Sequence, residues 1–93
     1  MYPAVVEAAL NKLPGVVDSA VAGAPDERLG EVPVAVVVAD DELGQVADLQ
    51  TALRNDLARY EIPRRIVRVP ALPRTENGKV DRPGVLRMVT SGD

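Results

Sequence analysis

The sequence has no cysteine and no histidine, and these two absences exclude many of the sites at which small proteins do chemistry. Without cysteine there is no disulfide framework, no thiol nucleophile and no thiolate metal site. Without histidine there is no imidazole acid or base, no Ser-His-Asp triad and none of the usual zinc sites. The sequence therefore predicts no metal site.

Aromatic residues are also scarce, since Tyr2 and Tyr60 are the only two. Proteins that bind single-stranded nucleic acid stack bases on surface aromatic side chains, so we expect no nucleic-acid partner.

No apolar run approaches the roughly 18 residues of a membrane span, and the N-terminus lacks the basic and apolar regions of a signal peptide. These absences favour a cytoplasmic protein without a membrane span.

What is present is typical of one globular domain: 93 residues, of which 46% are hydrophobic and 27% charged. The charge is unevenly distributed along the chain. Residues 1–58 carry three basic and ten acidic side chains, whereas residues 59–87 carry eight basic and three acidic ones. This polarity indicates that the C-terminal third faces an anionic partner, with a solvated basic face as the alternative.

Hydrophobic periodicity predicts a small α+β domain with the order α-β-β-α-β-loop-α. Val6, Leu10 and Leu13 recur at helical spacing. Residues 32–39 are apolar almost without a break, which is typical of a strand buried on both faces. We expect a sheet of about three strands, a hairpin plus one strand, with helices packed on it. The predicted strands are 16–24, 32–39 and 64–69, joined by a turn at 25–30 and followed by a loop at 70–78. The first predicted helix is 3–13. The second can be capped by Asp48 and ends near 59–60. The third is 82–89, which Gly84 weakens, and a frayed tail at 90–93 follows it.

The segment that most suggests chemistry is residues 73–82, PRTENGKVDR. Asn77-Gly78 is a strong turn signal because both residues tolerate a positive φ. A tight turn with a lysine at its exit presents the Lys79 ammonium on a defined stalk, where it can neutralise charge on a phosphate or carboxylate. The segment is not a P-loop, since Val80 follows the Gly-Lys pair where Ser or Thr is required. On these residues alone, an exposed hairpin with an ordinary surface lysine is the alternative.

This decapeptide closely resembles the final motif of the adenylate-forming superfamily. That superfamily contains acyl- and aryl-CoA synthetases, adenylation domains of nonribosomal peptide synthetases, and beetle luciferases. Other stretches resemble the same family in order and with compatible spacing, so the resemblance covers nearly the whole chain. They are residues 2–7, similar to the helix start P-x-E-(I/V)-E, residues 14–26, residues 30–35, and residues 59–63, similar to the element Y-K-(V/I)-P. The chain departs from the pattern at Val5, where the family has a glutamate.

The resemblance implies a fold and a reaction. The family has a large N-terminal domain followed by a small C-terminal α+β lid, and this sequence resembles the lid alone. Residues 1–93 would then be a single lid domain, without the large domain and the hinge. In a complete enzyme ATP, Mg²⁺ and CoA would be bound mainly by the large domain, and none of them is expected in the isolated lid. The lid would close twice, first to form the acyl-adenylate and then to admit the thiol.

Carried over by position, Lys79 matches the lysine that acts in adenylation. A mobile point cation suits this step because the attacking carboxylate and the α-phosphate are both anionic. The neighbouring residues receive roles from the same resemblance: Thr75, Asn77 and Gly78 would position the loop, and Arg74 and Arg82 are candidate contacts for phosphate or CoA, with solvated or salt-bridged side chains as the alternative.

The main interpretation is therefore the lid of an ATP-dependent acyl-CoA synthetase. It would be inactive alone and would work with a large adenylation domain in cis or in trans. One alternative is the lid of an adenylation domain that loads the phosphopantetheine of a carrier protein. Another is a non-catalytic interaction module whose basic third binds an anionic partner. The carboxylic acid substrate would be selected by the large domain.

Overall fold

The structure is a computed structural model that describes residues 2–91. These residues form three α-helices and three strands in the predicted order, with one additional 3₁₀ turn, which confirms the α+β class. The elements are α1 Pro3–Asn11, β1 Val16–Asp26, β2 Gly30–Ala39, α2 Val46–Leu53, the 3₁₀ turn Arg59–Glu61, β3 Arg65–Arg68 and α3 Arg82–Ser91. None of the helices within residues 2–91 has the length and apolar character needed to cross a bilayer.

The sheet has β2 at its centre and β1 and β3 at its edges. β1 and β2 form the predicted antiparallel hairpin, in which Val21 lies opposite Ala35. β3 pairs with β2 in parallel, with Ile66 beside Ala35. A parallel partner needs a crossover connection, and the segment containing α2 provides it. The hairpin strands extend beyond the predicted limits, to Asp26 on one side and from Gly30 on the other.

The sheet is covered on both faces, and each face has its own apolar core. The central strand is buried from Val32 to Val37, as the apolar run predicted. Helices α1 and α2 cover one face, and α3 covers the other. The core under α1 and α2 contains Val6, Ala9, Leu10, Val21, Ala35, Val37, Leu49, Leu53, Leu57 and Ile66. The core under α3 contains Ala20, Ala22, Val34, Val36, Val69, Val85 and Val89.

The second helix is shorter than predicted. Its N-cap is Gln45 and it ends at Leu53, so Asp48 lies in the first turn and not at the cap. Asn55 and Asp56, which follow, are poor helix formers. Leu57 continues the helical spacing of apolar residues but reaches the core from a turn, its N–H bonded to the Leu53 carbonyl at 2.9 Å. Spacing alone does not distinguish these two arrangements.

The terminal helices also differ from the predicted limits. α1 ends at Asn11, and α3 continues to Ser91, where a frayed tail was predicted; residues 92 and 93 of that tail lie outside the described part. Gly84 is needed for close approach, because an added Cβ would lie 2.7 Å from an Asp81 carboxylate oxygen and 3.0 Å from the Pro73 Cβ. The residue predicted to weaken α3 allows the start of this helix to pack against the preceding loop.

Candidate functional site

Residues 73–81 form a small hairpin that carries Lys79. The Thr75 N–H donates to the Lys79 carbonyl at 2.8 Å, and the Gly78 N–H donates to the Thr75 carbonyl at 2.9 Å. Gly78 has φ of 83°, whereas Asn77 does not have a positive φ. This is the pattern of a three-residue hairpin loop, a turn closed by a left-handed glycine. Of the two residues in the turn signal, Gly78 alone uses the left-handed conformation.

The Lys79 side chain is exposed, and its ammonium forms no hydrogen bond or ion pair with any residue in 2–91. The Thr75 and Asn77 side chains likewise have no hydrogen-bond partner within that part of the chain. Thr75 therefore contributes to the loop through its backbone. Backbone hydrogen bonds close the hairpin, and the Lys79 side chain keeps no contact within residues 2–91 that would prevent it from reaching an anion.

The Arg74 side chain bonds both to this hairpin and to the sheet. Its Nη1 donates to the Gly78 carbonyl at 3.0 Å, one residue before Lys79. Its Nη2 pairs with Asp18 Oδ2 on β1 at 3.3 Å. The guanidinium thus joins the loop tip to the sheet.

Arg82 is engaged with the edge of the sheet. Its Nη1 lies 2.7 Å from Glu7 Oε2 and also donates to the Val21 carbonyl. The same Glu7 oxygen accepts the Val21 N–H at 2.8 Å. Both backbone polar groups of Val21 are satisfied by side chains, which closes the free edge of β1 at this point. Both arginines that the sequence indicated as candidate phosphate contacts therefore have partners inside the domain.

The sequence interpretation did not single out Asp81, which joins the hairpin to α3. Its N–H donates to the Pro73 carbonyl at 2.9 Å, and its Oδ1 accepts the Gly84 N–H at 3.0 Å. A carboxylate that accepts a first-turn N–H is a helix cap. The signal that could have revealed it is an aspartate directly before the predicted start of α3.

We expect the Arg82→Ala variant to lower the free energy of unfolding by about 2 kcal/mol, because it leaves a mostly buried Glu7 carboxylate without its cation. The Glu7 side chain is 16% exposed and that of Arg82 41%. Urea unfolding of the 93-residue chain measures the loss.

Arg74→Ala is the matched control, since the side chains of its ion pair are 47% and 45% exposed and such pairs contribute about 0–1 kcal/mol. Equal losses for the two variants would contradict the role given to the Glu7–Arg82 pair.

A second feature is an open groove of about 520 Å³ whose lining includes four arginines and one acidic residue, Asp26. Arg28 comes from the hairpin turn, Arg54 follows α2, and Arg59 and Arg64 lie around the 3₁₀ turn. Sequence reasoning missed this cluster, because two of the four arginines belong to the acidic part of the chain. Several arginine side chains around one concave surface are suited to binding phosphate oxygens. We call this feature the arginine groove.

Among residues 2–91 there is no group of three or more acidic side chains that could hold a metal ion.

Comparison with known proteins assigns this architecture to a family. Residues 5–79 match the AMP-binding enzyme C-terminal domain, and the chain belongs to that family. The resemblance stated from the sequence is thereby confirmed.

Similar proteins include CoA ligases of several kinds. The chain is 39% identical over 82 residues to 2-succinylbenzoate–CoA ligase of Listeria monocytogenes, covering 88% of this chain and 17% of that protein. It is 38% identical over 80 residues to a long-chain fatty acid–CoA ligase of Mycobacterium tuberculosis, covering 86% and 16%. The chain spans 16 to 20% of the length of the curated relatives it matches.

Solved structures agree with these relatives. The apo structure of MatB from Rhodopseudomonas palustris superimposes with a TM-score of 0.85 at 33% identity, covering 100% of this chain and 19% of that one. A fatty acyl-CoA synthetase of Mycobacterium tuberculosis gives a TM-score of 0.82 at 33% identity, covering 97% and 18%. The chain thus corresponds to the small C-terminal domain of much longer synthetases.

Proposed function

We propose that this chain is the lid of an ATP-dependent acid–thiol ligase of the acyl-CoA synthetase type, and that Lys79 provides the cation for the adenylation step. The observation that carries the proposal is the exposed Lys79 ammonium without a partner in residues 2–91. Lys79 directly follows the turn of a hairpin that backbone hydrogen bonds and Arg74 hold closed. An unpaired cation on such a support is suited to bind an anion that the rest of the enzyme presents.

In the proposed reaction a carboxylate oxygen attacks the α-phosphate of ATP, and pyrophosphate leaves. Negative charge shifts across the carboxylate, the α-phosphate and the leaving oxygen. The Lys79 ammonium lies between these oxygens and offsets their charge, with three donors on a flexible stem that can follow the shift. No proton transfer from Lys79 is needed, because the carboxylate is already ionised at neutral pH.

The proposed partner is a large domain that binds ATP and the acid, present in the same chain or supplied in trans. The experiment replaces the C-terminal domain of the Listeria 2-succinylbenzoate–CoA ligase by residues 1–93. We expect this chimera to catalyse substrate-dependent ATP–pyrophosphate exchange and the chain alone to show none. If the chimera were no more active than the enzyme without its C-terminal domain, while the chain alone bound a polyanion tightly, the non-catalytic module would be favoured.

We further propose that the thiol acceptor is CoA and that the arginine groove binds its phosphates. CoA carries a diphosphate and a 3′-phosphate, whereas the phosphopantetheine of a carrier protein carries one phosphodiester. Four arginines around one groove are better matched to the larger charge. A ligase that consumes ATP and CoA also favours the cytoplasm as the place of action, where both are held.

Removing Arg54 and Arg64 together should raise the KM for CoA in the chimera by about tenfold and leave pyrophosphate exchange unchanged. Each substitution would remove a charge-assisted contact between an exposed arginine and a phosphate of CoA. Together they should weaken the binding free energy of CoA by about 1.4 kcal/mol. Initial rates of thioester formation at varied CoA concentration measure the effect.

The control Lys12→Ala/Arg68→Ala removes the same charge outside the groove and should leave the KM for CoA within about twofold. If both double variants raised this KM equally, a general field effect would replace the proposed contacts. If dephospho-CoA and a phosphopantetheine-loaded carrier protein served as well as CoA, the carrier-loading alternative would be favoured.

A further inference from the structure

We infer that Asp18 is a positioning residue for Lys79 and that it acts through Arg74. Asp18 lies on β1, far from the lysine hairpin in sequence, and the motif that indicated the hairpin does not include it. The inference rests on the proposed adenylation role of Lys79.

The contacts form a continuous path from the sheet to the lysine. Asp18 Oδ2 pairs with Arg74 Nη2 at 3.3 Å, and Arg74 Nη1 donates to the Gly78 carbonyl at 3.0 Å. Gly78 immediately precedes Lys79 in the chain. One guanidinium therefore fixes the peptide that carries the lysine to a carboxylate on β1.

The Asp18 carboxylate is itself held in place. Its Oδ1 accepts the Ser19 N–H at 2.9 Å, which leaves Oδ2 directed at Arg74. The Ser19 hydroxyl in turn lies 2.8 Å from Asn11 Oδ1 at the end of α1. The pairing register between β1 and β2 shifts between Val16 and Asp18, and such irregularities redirect side chains at strand ends.

The second attachment of the lysine hairpin is at its base, where residues 73 and 81 meet. There the Asp81 N–H bonds to the Pro73 carbonyl and the Asp81 carboxylate caps α3. Without the Asp18–Arg74 pair, the hairpin tip is free to pivot about this attachment. Catalysis by a positioned cation is sensitive to displacements of about 1 Å. The Asp18–Arg74 ion pair can therefore have a measurable effect on the rate even though an exposed pair contributes little to stability.

The first test uses the 93-residue chain and does not involve activity. Backbone ¹⁵N relaxation of Gly78 and Lys79 is compared in the wild type, Asp18→Asn and Asp18→Glu. We expect lower order parameters at both positions in Asp18→Asn and wild-type values in Asp18→Glu, whose carboxylate can still reach Arg74. The matched control is Asp41→Asn, an exposed aspartate without a partner in residues 2–91, which should leave both positions unchanged. Wild-type order at Gly78 and Lys79 in Asp18→Asn overturns the inference.

The second test uses the chimera and separates the half-reactions. Asp18→Asn should lower kcat for pyrophosphate exchange about fivefold, leave the KM for ATP unchanged and leave thioester formation from supplied acyl-adenylate unchanged. Asp18→Glu should restore the exchange rate. Equal loss in both half-reactions, or no rescue by glutamate, overturns the positioning role. If Lys79→Ala retained full exchange activity, the proposed function would fail, and the relaxation measurement would still decide whether Asp18 orders the hairpin.

Discussion

Pyrophosphate exchange by the chimera should fall by at least about 10²-fold when Lys79 is replaced by alanine, corresponding to about 3 kcal/mol of lost transition-state stabilisation. The ammonium has no partner within residues 2–91, so its removal leaves no internal charge uncompensated and should not alter the fold. Thioester formation from supplied acyl-adenylate should keep its wild-type rate, because another face of the lid would serve that step. Rates of the two half-reactions in the same preparation measure the separation.

The chain offers a matched control, because Lys12 is its only other lysine. Lys12 lies exposed at the end of α1, and Lys12→Ala should leave both half-reactions unchanged. Lys79→Arg should recover only part of the activity, since a planar guanidinium cannot follow shifting charge as a point cation does. Equal loss of the two half-reactions in Lys79→Ala would remove the adenylation role from this residue.

The largest loss of stability is expected from Leu10→Ala, at about 3 kcal/mol. Leu10 is 0% exposed and packs in the core under α1 and α2. Truncation removes transfer free energy and leaves a cavity between α1 and the sheet that surrounding side chains only partly fill. A domain of this size has a free energy of unfolding of roughly 5–10 kcal/mol, so the loss is a large fraction of the total. Equilibrium denaturant unfolding of the 93-residue chain measures it.

Leu29→Ala is the control for this variant, since it removes the same atoms from a side chain that is 58% exposed in the hairpin turn. Its cost should stay below about 1 kcal/mol. If Leu10→Ala cost no more than Leu29→Ala, the packing of α1 on the sheet would differ from the one described.

Local signals predicted much of the fold. The apolar run at 32–39 is the central strand, because a strand covered on both faces needs no alternation. The Asn-Gly turn marks the lysine hairpin, because only a left-handed residue closes it. The predicted extent of α2 was wrong, because Leu57 would reach the same core from either a helix or a turn.

The two arginines on either side of Lys79 show more clearly what sequence reasoning cannot predict. The motif placed Arg74 and Arg82 beside Lys79 and left two interpretations for each, a contact to phosphate or CoA and a solvated or salt-bridged side chain. The structure pairs them with Asp18 and Glu7, carboxylates that lie far earlier in the chain. Such pairing depends on which residues the sheet brings together, and no local pattern encodes it.

The sequence by itself determined the α+β class, the β1–β2 hairpin and the turn that Lys79 directly follows, since each depends on neighbouring residues and on the burial of apolar side chains. It also determined the family, because several different family motifs occur along the chain in the expected order. Only the tertiary structure decided that β3 runs parallel to β2, that Arg28 and Arg54 from the acidic part join Arg59 and Arg64 in one groove, and that Asp18 lies within reach of Arg74. The physical reason is that these features depend on distances between residues remote in sequence, which packing of the helices on the sheet sets as a whole.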